Sequence, residues 1–521
     1  MLHPAREEVC WIEETLPVEL LGYVMELLPR DMVAVAARTC KRWRSCCPEP
    51  LRQKLSVRRA CGSIAFLQWA VANGCELNEK TCAVVAGEGK LEVLRWVREQ
   101  RCCPWDSNTS VAAAAGGHLE VLKYLKEQGC PFDQGTSLAA AGGGHLEVLQ
   151  WLFQELRSES FPHKNNTTLC KAAAQNGHLT VLQWARQEAG YPWDGGTTAA
   201  AAQGGHLELL KWAKENGCPC NKKVGMAATR GGHLEVLKWA CENDCPWDLG
   251  TCMVAAANGR LGMLQWLWVT YSEHFHWHAS VCTMAAANGH LELLRWAREQ
   301  GCPWHSSTCS QAARTGQLEV LQWLHEQGCP WSEQTCANAA SGGHLQVLQW
   351  AREKGCPWSD QTCREAAETG QLEVLKWARS NGCPWNAETT RAAARHQRLD
   401  MLQWAYEQGC PLDMQTLCTF AARSNNLKML QWAREIGCPW SVQVCTEAAN
   451  NGNLELLQWA RENGCPWDES TCYVAASHGH LDMLQWAREN GCPWDKLTFQ
   501  MAKFRGGEVL RWVRKNGCPR E

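Results

Sequence analysis

Residues 308 to 334 read T-C-S-Q-A-A-R-T-G-Q-L-E-V-L-Q-W-L-H-E-Q-G-C-P-W-S-E-Q, and the same spacing begins again at Thr335. The period is 27 residues, and its most regular marker is a tryptophan. Tyr124 takes that position in one unit, and the tryptophans stand at Trp69, Trp96, Trp151, Trp184, Trp212, Trp239, Trp266, Trp296, Trp323, Trp350, Trp377, Trp404, Trp432, Trp459, Trp486 and Trp512. The chain is therefore predicted to be an array of seventeen copies of one unit.

Each unit has the pattern of two helices. In the second half of the unit, the apolar side chains recur with a helical period and form one wide arc, which predicts a helix, called helix B, that is buried on most sides. The preceding T-C-x-x-A-A-x-x-G stretch predicts a shorter helix A that ends at Gly316. Gly328 can adopt a left-handed conformation and Pro330 cannot continue a helix, so each unit is predicted to be a helical hairpin.

A hairpin of 27 residues cannot bury its apolar arc alone, so neighbouring units must stack. The predicted fold is all-α: a solenoid of helical hairpins over residues 51–521, preceded by a small three-helix module over residues 1–50. This organisation also accounts for a length of 521 residues, which exceeds what one hydrophobic core usually serves.

Charge and hydropathy exclude several classes of function. Lys and Arg number 51 against 54 Asp and Glu, a net charge of -3, which disfavours binding to nucleic acid or to an anionic membrane surface. The sequence begins without a cationic stretch followed by an apolar run, and it has no run of about 18 apolar residues, so we expect neither secretion nor a membrane span. We therefore expect a cytoplasmic or nuclear protein whose cysteines are free thiols.

The 30 tryptophans and 32 cysteines mostly occupy repeat positions. The helix-B tryptophans are interpreted as core residues. A second series, which includes Trp304 and Trp331, follows proline in the turn between units; it is interpreted as lids on the hairpin ends, with a contact stripe for a partner as the alternative. Twenty-four cysteines stand in the G-C and T-C positions, and equivalent cysteines one stacking step apart are too distant for one ion or a disulfide. Buried apolar thiols, with no metal and no cofactor, are the prediction.

Histidines recur in G-H-L, but Gln, Asn, Lys or Arg replaces them in other units, which is typical of a polar group bonding exposed backbone at the start of helix B and not of a catalyst. A different cluster, H-F-H-W-H, contains His274, His276 and His278. Alternate histidines on an extended strand could hold a metal, although an exposed polar loop is the simpler interpretation. Phosphate-binding and hydrolase motifs are absent from the sequence, so we expect no enzyme.

The segment at residues 475 to 492 resembles the second half of an ankyrin repeat, A-A-x-x-G-H-x-x-x-V-x-x-L-L-x-x-G-A. The unit is six residues shorter than the ankyrin repeat of 33, and C-P-W-D replaces the projecting hairpin loop. The resemblance implies stacked helical hairpins that lack the projecting loops of ankyrin repeats.

Residues 16 to 46, LPVELLGYVMELLPRDMVAVAARTCKRWRSC, resemble an F-box, whose pattern runs L-P-x-E-L-L-x-x-I-L-x-x-L-P-x-x-D-L and later V-C-x-x-W. The resemblance implies a partner, the Skp-type adaptor of cullin-RING ubiquitin ligases. It also implies a docking surface made by Leu16, Pro17, Leu20, Val24, Leu27 and Leu28. The alternative is a helical cap that shields the first repeat.

Arrays of ankyrin type generally bind through variable positions of helix A, because helix B is used in stacking. The positions on either side of the Ala-Ala pair vary most in the second half of the chain, and a drifting solvated face is the alternative explanation. The predicted target-binding residues are Gln311, Arg314, Asn338, Glu365, Glu368, Arg395 and Arg423.

Two functional hypotheses follow from these resemblances. The first is the substrate receptor of an SCF-type cullin-RING ubiquitin ligase, in which the F-box docks the adaptor and the repeats bind an unknown protein target. The second is an ankyrin-like scaffold or decoy without a ligase partner, and metal or redox sensing by the cysteines is a third. Chains that mix an F-box with G-C-P-W units resemble families expanded in very large DNA viruses and some protists, which suggests action in a host cell.

Overall fold

The computed structural model describes residues 64–65, 67–68, 77–101, 103–155, 167–245, 247–271 and 275–519. In this part of the chain there are 32 α-helices and no β-strand, as an all-α fold requires. Contacts divide the chain into two compact units, Met1–Thr251 and Cys252–Glu521. From here on these are called the first and the second unit, and each copy of the sequence pattern is called a repeat. The predicted boundary between residues 50 and 51 lies outside the described residues.

The helices alternate between the two types that the sequence predicts, with helix A odd-numbered and helix B even-numbered. The first thirteen, of which the last spans the boundary between the two units, are α1 (Glu79–Gly87), α2 (Leu91–Arg101), α3 (Ser107–Ala115), α4 (Leu119–Glu127), α5 (Gln134–Gly143), α6 (Leu146–Glu155), α7 (Thr168–Gln175), α8 (Leu179–Gln187), α9 (Gly195–Gly204), α10 (Leu207–Glu215), α11 (Lys223–Gly231), α12 (Leu234–Glu242) and α13 (Leu249–Ala257).

The helices that follow are α14 (Leu261–Thr270), α15 (Ala279–Ala287), α16 (Leu291–Glu299), α17 (Ser306–Arg314), α18 (Leu318–Glu326), α19 (Glu333–Gly342), α20 (Leu345–Glu353), α21 (Asp360–Thr369), α22 (Leu372–Ser380), α23 (Ala387–Arg395), α24 (Leu399–Glu407), α25 (Leu417–Arg423), α26 (Leu427–Glu435), α27 (Gln443–Asn451), α28 (Leu454–Glu462), α29 (Glu469–His478), α30 (Leu481–Glu489), α31 (Lys496–Arg505) and α32 (Gly507–Lys515).

Within each unit, the helices A pack against one another in sequence. In the first unit the series runs from α1 to α11 and in the second from α15 to α31, and each helix A of these two series also packs on its own helix B. Small side chains line the contact: Ala312 and Ala313 of α17 are fully buried, and so is Leu321 of α18. The prediction of stacked helical hairpins is confirmed.

A short polar segment starts each helix A. In α19 the Ser332 side chain accepts a hydrogen bond from the backbone of the third helical residue, while the side chain of that residue, Thr335, accepts one from the Ser332 backbone N–H. This capping box satisfies two amide groups at the helix start. The Thr of the T-C pair therefore has a structural role: it closes the cap while its methyl group is buried beside Cys336.

In most repeats a glycine ends each of the two helices, as predicted, while Asp244, Gln397 and Asn425 take the left-handed position in others. Gly316 has φ 79° and Gly328 has φ 72°, both left-handed. After α18 the Gly328 N–H bonds to the His325 carbonyl at 3.0 Å and the Cys329 N–H bonds to the Leu324 carbonyl at 2.9 Å, which is a Schellman ending. The chain then turns at C-P-W into the next helix A.

The prediction that the helix-B tryptophans are core residues was wrong for most of them. Trp184 is buried with 6% of its surface exposed, but every other helix-B tryptophan in the described residues is half-buried. In α18 the fully enclosed arc consists of Val320, Leu321 and Leu324, and Trp323 lies at its flank. The enclosed arc is narrower than predicted, because helix B is covered by helix A and by neighbouring repeats while its outer flank faces solvent.

Gly316→Ala should destabilise the protein more than Gly328→Ala. Both changes place a side chain in the left-handed region, at a cost of about 1 kcal/mol. A Cβ at Gly316 would also lie 2.6 Å from His344 Cε1 in the next repeat, whereas nothing lies within 4 Å of one at Gly328. Thermal and urea denaturation of the two variants will measure the difference, and His344→Ala in the Gly316→Ala background should recover part of the loss. Equal destabilisation by both glycine changes would contradict this account.

Candidate protein-binding surface

The predicted target-binding residues all lie on helices A of the second unit. Gln311 and Arg314 stand on α17, three residues apart and therefore on one helix face. Asn338 is on α19, Glu365 and Glu368 on α21, Arg395 on α23 and Arg423 on α25. Because these helices pack side by side, the residues form one row along the unit, called the helix-A face.

Exposure divides the helix-A face into two groups. Arg314, Glu368, Arg395 and Arg423 are exposed, whereas Gln311, Asn338 and Glu365 are half-buried. The residue after the Ala-Ala pair therefore points farther into solvent than the residue before it. A partner that lies across the helices A would meet the exposed group first.

Several of these side chains bond to neighbouring repeats. Asn338 Nδ2 donates to the Ser310 carbonyl of the preceding helix A at 3.1 Å. Arg423 contacts the Glu447 carboxylate of the following one through Nε at 2.9 Å and Nη2 at 2.7 Å. These residues contribute to stacking as well as to the surface, and Glu447, at the variable position before its own Ala-Ala pair, extends the face by one repeat.

Charge on the face is partly compensated. Glu368 lies 3.6 Å from His396 Nε2 of the next repeat, and Glu365 pairs with Arg364 at 3.1 Å. By contrast, within the described residues no hydrogen bond or ion pair involves the side chain of Arg314 or Arg395. These two exposed guanidinium groups are the cations of the face that are open to a partner.

A cavity interrupts the face between α23 and α25. It is open to solvent and is lined by Thr390, Arg391, Ala394, Leu412, Asp413, Thr416, Leu417 and Phe420. Arg391 pairs with Asp413 at 3.2 Å and also with Glu388. Hydrogen bonds from Thr416 and then from Arg391 hold the pKa of the Asp413 carboxyl below its usual value, although partial burial opposes them.

The sequence carried a signal for this cavity. The tryptophan spacing from Trp404 to Trp432 is one residue longer than the period, and Leu412 replaces the tryptophan of the C-P-W turn. Helix α25 has only seven residues, so its first turn does not cover α23. The irregular repeat therefore opens the row of helices A at this point.

The turn tryptophans form a second row, at the hairpin ends. Trp304 contacts Trp323 of the following helix B edge to face, with ring centroids 5.9 Å apart. Arg298 lies over the Trp304 ring at 4.1 Å and donates Nη1 to the Cys302 carbonyl at 3.0 Å. The same Arg–Trp pairing recurs in the second unit at Arg352 and Trp358, Arg379 and Trp385, Arg434 and Trp440, Arg461 and Trp467, and Arg488 and Trp494.

This arrangement explains the repeated W-A-R-E-x-G-C-P-W string. The arginine holds the turn through the cysteine carbonyl and covers one face of the turn indole, while the next tryptophan covers an edge. These indoles are half-buried and engaged, so they are lids that couple adjacent repeats rather than flat platforms open to a ligand.

The G-H-L histidines bond backbone groups, but across repeats. His118 Nε2 lies 3.0 Å from the Gly87 carbonyl, and His178 Nε2 lies 2.9 Å from the Gly142 carbonyl. Each histidine thus meets the end of the preceding helix A, where carbonyls lack helical partners. Where Asn426 replaces histidine, its Oδ1 accepts from Met429 N–H and caps its own helix B instead.

The repeat cysteines of the described residues are buried, as predicted, and burial raises the pKa of Cys410 to about 12. The prediction missed that T-C and G-C cysteines of one repeat meet, with Cys445 Sγ 3.6 Å from Cys465 Sγ. The same pairing occurs at Cys282 and Cys302, Cys309 and Cys329, Cys336 and Cys356, Cys363 and Cys383, Cys418 and Cys438, and Cys472 and Cys492.

The expectation of free thiols throughout was wrong at one place. Cys220 and Cys245 form a disulfide between adjacent repeats of the first unit. Cys220 occupies a turn position where other repeats have tryptophan, so this bridge joins non-equivalent repeat positions. The spacing argument, which compared only equivalent cysteines, could not have found it.

The H-F-H-W-H segment contributes aromatic packing. His274 lies outside the described residues, and His276 and His278 are exposed. His278 Nδ1 accepts from the Ser280 N–H at 3.2 Å and caps α15, while Trp277 takes the role of a turn tryptophan against Trp296 at 5.8 Å. Over the described residues, no three or more His, Cys, Asp or Glu side chains are grouped for a metal ion.

The predicted adaptor-binding residues cannot be placed on the structure. Leu16, Pro17, Leu20, Val24, Leu27 and Leu28 all lie outside the described residues. Among the helices that are described, none combines the length and the apolarity needed to cross a membrane.

Comparison with known families supports both sequence resemblances. Residues 14–58 match the family model F-box-like, and residues 445–488 match the model Ankyrin repeats (many copies). The chain therefore has an F-box-like domain at its amino terminus and ankyrin repeats after it, and these are domains of protein interaction. The suggested viral or protist origin stays a prediction, and no curated protein matches the chain.

Solved structures of helical repeat proteins are similar to this chain. The human ASB11 ankyrin repeat domain shares 19% identity over 31% of this chain and 85% of that chain, with a TM-score of 0.27. The maize pentatricopeptide repeat protein PPR10 shares 13% identity over 99% of this chain and 89% of that chain, also with a TM-score of 0.27.

Arg298→Gln should lower the free energy of unfolding by about 1 kcal/mol, because it removes the cation over Trp304 and the hydrogen bond to Cys302. Urea denaturation followed by tryptophan fluorescence will measure the change. Arg314→Gln is the matched control, since this arginine has no such contacts and its loss should shift the midpoint little. If the two variants had the same stability, the arginine would not hold the turn.

Proposed function

We propose that this chain, which joins an F-box-like domain to ankyrin repeats, is the substrate receptor of a cullin-RING ubiquitin ligase. The F-box-like domain docks a Skp-type adaptor and the repeats hold a protein target. The observation that carries the proposal is the F-box-like match at residues 14–58 ahead of an array whose helix-A face is exposed and variable.

The docking side of the proposal rests on the amino-terminal sequence. Leu16, Pro17, Leu20, Val24, Leu27 and Leu28 supply more apolar side chains than a domain of about fifty residues can enclose. An adaptor surface that covers them would remove apolar area from water, which favours association by roughly 25 cal/mol per Å² before the entropic costs.

The target side rests on the helix-A face. Arg314 and Arg395 are exposed and have no ion partner within the described chain, whereas Glu368 lies against His396 and Arg423 pairs with Glu447 in neighbouring repeats. The two unpaired cations lie three repeats apart, on α17 and α23. They favour a target that carries carboxylates or phosphates with a matching separation, because an arginine can bond such a group through two parallel N–H donors. The polar residues between them would then set the register.

In this function the chain performs no chemistry itself. It brings the target close to the ligase, which transfers ubiquitin, so that the target is present at a high effective concentration. A scaffold or decoy would hold the same targets without the adaptor, and adaptor binding therefore separates the two functions.

Leu20→Asp and Leu27→Asp should each weaken adaptor binding more than tenfold, because a carboxylate placed in an apolar interface is desolvated without a partner. Binding of purified full-length chain to a Skp-type adaptor can be measured by calorimetry or biolayer interferometry. Val269→Asp is the control, since this valine is 75% exposed in the repeats. No adaptor binding by the wild-type chain would leave the scaffold function.

Arg395→Glu should remove targets from the chain while leaving adaptor binding unchanged, because it reverses an unpaired cation of the helix-A face. Proximity labelling of the full chain in cells, quantified by mass spectrometry, reads out the targets. Lys354→Glu makes the same charge change beside helix B, where it is exposed, and should leave the labelled set intact. Equal loss of targets in both variants would show that net charge, and not the helix-A face, recruits them.

A further inference from the structure

Three sulfur atoms meet in the irregular repeat of the second unit. Cys418 lies in α25 and Cys438 in the turn after α26, and the two thiols interact with each other. The thioether Sδ of Met414, in the turn before α25, lies 3.5 Å from Cys438 Sγ. Both cysteines are fully buried and Met414 is half-buried.

The methionine distinguishes this pair from the other thiol pairs of the unit. In neighbouring repeats the G-C thiol donates to the backbone carbonyl 24 residues earlier: Cys410 to Asn386 at 3.4 Å, and Cys465 to Ser441 at 3.5 Å. At Cys438 the residue 24 positions earlier is Met414, and its sulfur takes the place of that carbonyl. The extra residue of this repeat thus puts a third sulfur beside a cysteine pair.

We propose that Cys418, Cys438 and Met414 form a binding site for Cu(I). Thiolate and thioether sulfurs are soft ligands that favour this ion. Binding replaces the two thiol protons, which pass to solvent, with one monovalent cation, so the resulting dithiolate complex carries one negative charge. Zinc is disfavoured here because it requires a fourth ligand. The nearby Asp413 carboxylate does not supply one, since it is already bonded to Thr416 and Arg391.

The distance between Cys438 Sγ and Met414 Sδ suits such a complex with little movement. Three sulfurs at about 2.3 Å from a central ion lie about 4 Å from one another, so the Cys438–Met414 separation needs to open by only about 0.5 Å. Met414 is the ligand nearest solvent, and its turn borders the cavity lined by Leu412, Asp413 and Thr416.

The surrounding charge is also compatible with two thiolates. Arg434 lies 4.5 Å from the centre of the Trp440 ring and donates Nη1 to the Cys438 carbonyl, which fixes its cation near the pair. A complex of net charge −1 would have this guanidinium as its neighbour.

The test is an anaerobic titration of the full-length chain with Cu(I) against a chromophoric Cu(I) chelator. We expect one equivalent to bind more tightly than the remainder and to show thiolate-to-copper absorption in the near ultraviolet. X-ray absorption at that stoichiometry should show three sulfur neighbours. Met414→Leu keeps the volume of the side chain and should weaken this first equivalent at least tenfold.

Two further variants make the test decisive. Met483→Leu, a buried methionine in a repeat with a thiol pair but outside the proposed site, is the control and should leave the first equivalent unchanged. Cys438→Ser should abolish it, and circular dichroism will report whether that variant folds. The proposal would be overturned by the absence of Cu(I) binding in competition. It would equally be overturned if Met414→Leu bound with unchanged affinity, or if all thiol pairs bound alike.

Discussion

Burial of apolar side chains between successive hairpins is the interaction on which this structure depends. Ala312, Ala313 and Leu321 have no exposed surface, yet a single hairpin could not enclose them. Small residues in helix A let adjacent helices approach closely, and the branched residues of helix B fill the layer behind them. Because each layer needs its neighbours, the chain must repeat the same residue at the same position, and the regular sequence follows from this requirement.

The same requirement divides the surface by function. The turns carry arginine and tryptophan pairs that bond to the next repeat, and the G-H-L histidines bond to the preceding one, so both rows are used in stacking. The residues flanking the Ala-Ala pair are less constrained, because only part of each side chain contacts a neighbour. The helix-A face can therefore vary without loss of the fold, which is the property that a recognition surface needs.

The irregular positions show where a repeat gains a property that the others lack. One additional residue between Trp404 and Trp432 shortens α25, opens a cavity and places Met414 against a thiol pair. In the first unit, Cys220 in a turn position creates a covalent link between repeats. Both changes leave the buried alanine and leucine positions intact, so they are compatible with the stacking of neighbouring layers.

The 27-residue period, the helix types, and the glycine endings at Gly316 and Gly328 were determined by the sequence alone, because periodicity and left-handed turns are local properties of the chain. The F-box-like and ankyrin resemblances were likewise readable from motifs. Only the tertiary structure decided which face of each helix is covered by neighbouring helices. It placed Trp323 at the flank of the core, paired Cys445 with Cys465, and joined Glu447 to Arg423. Such contacts depend on the rotation of one helix against the next, and no spacing along the chain encodes that rotation.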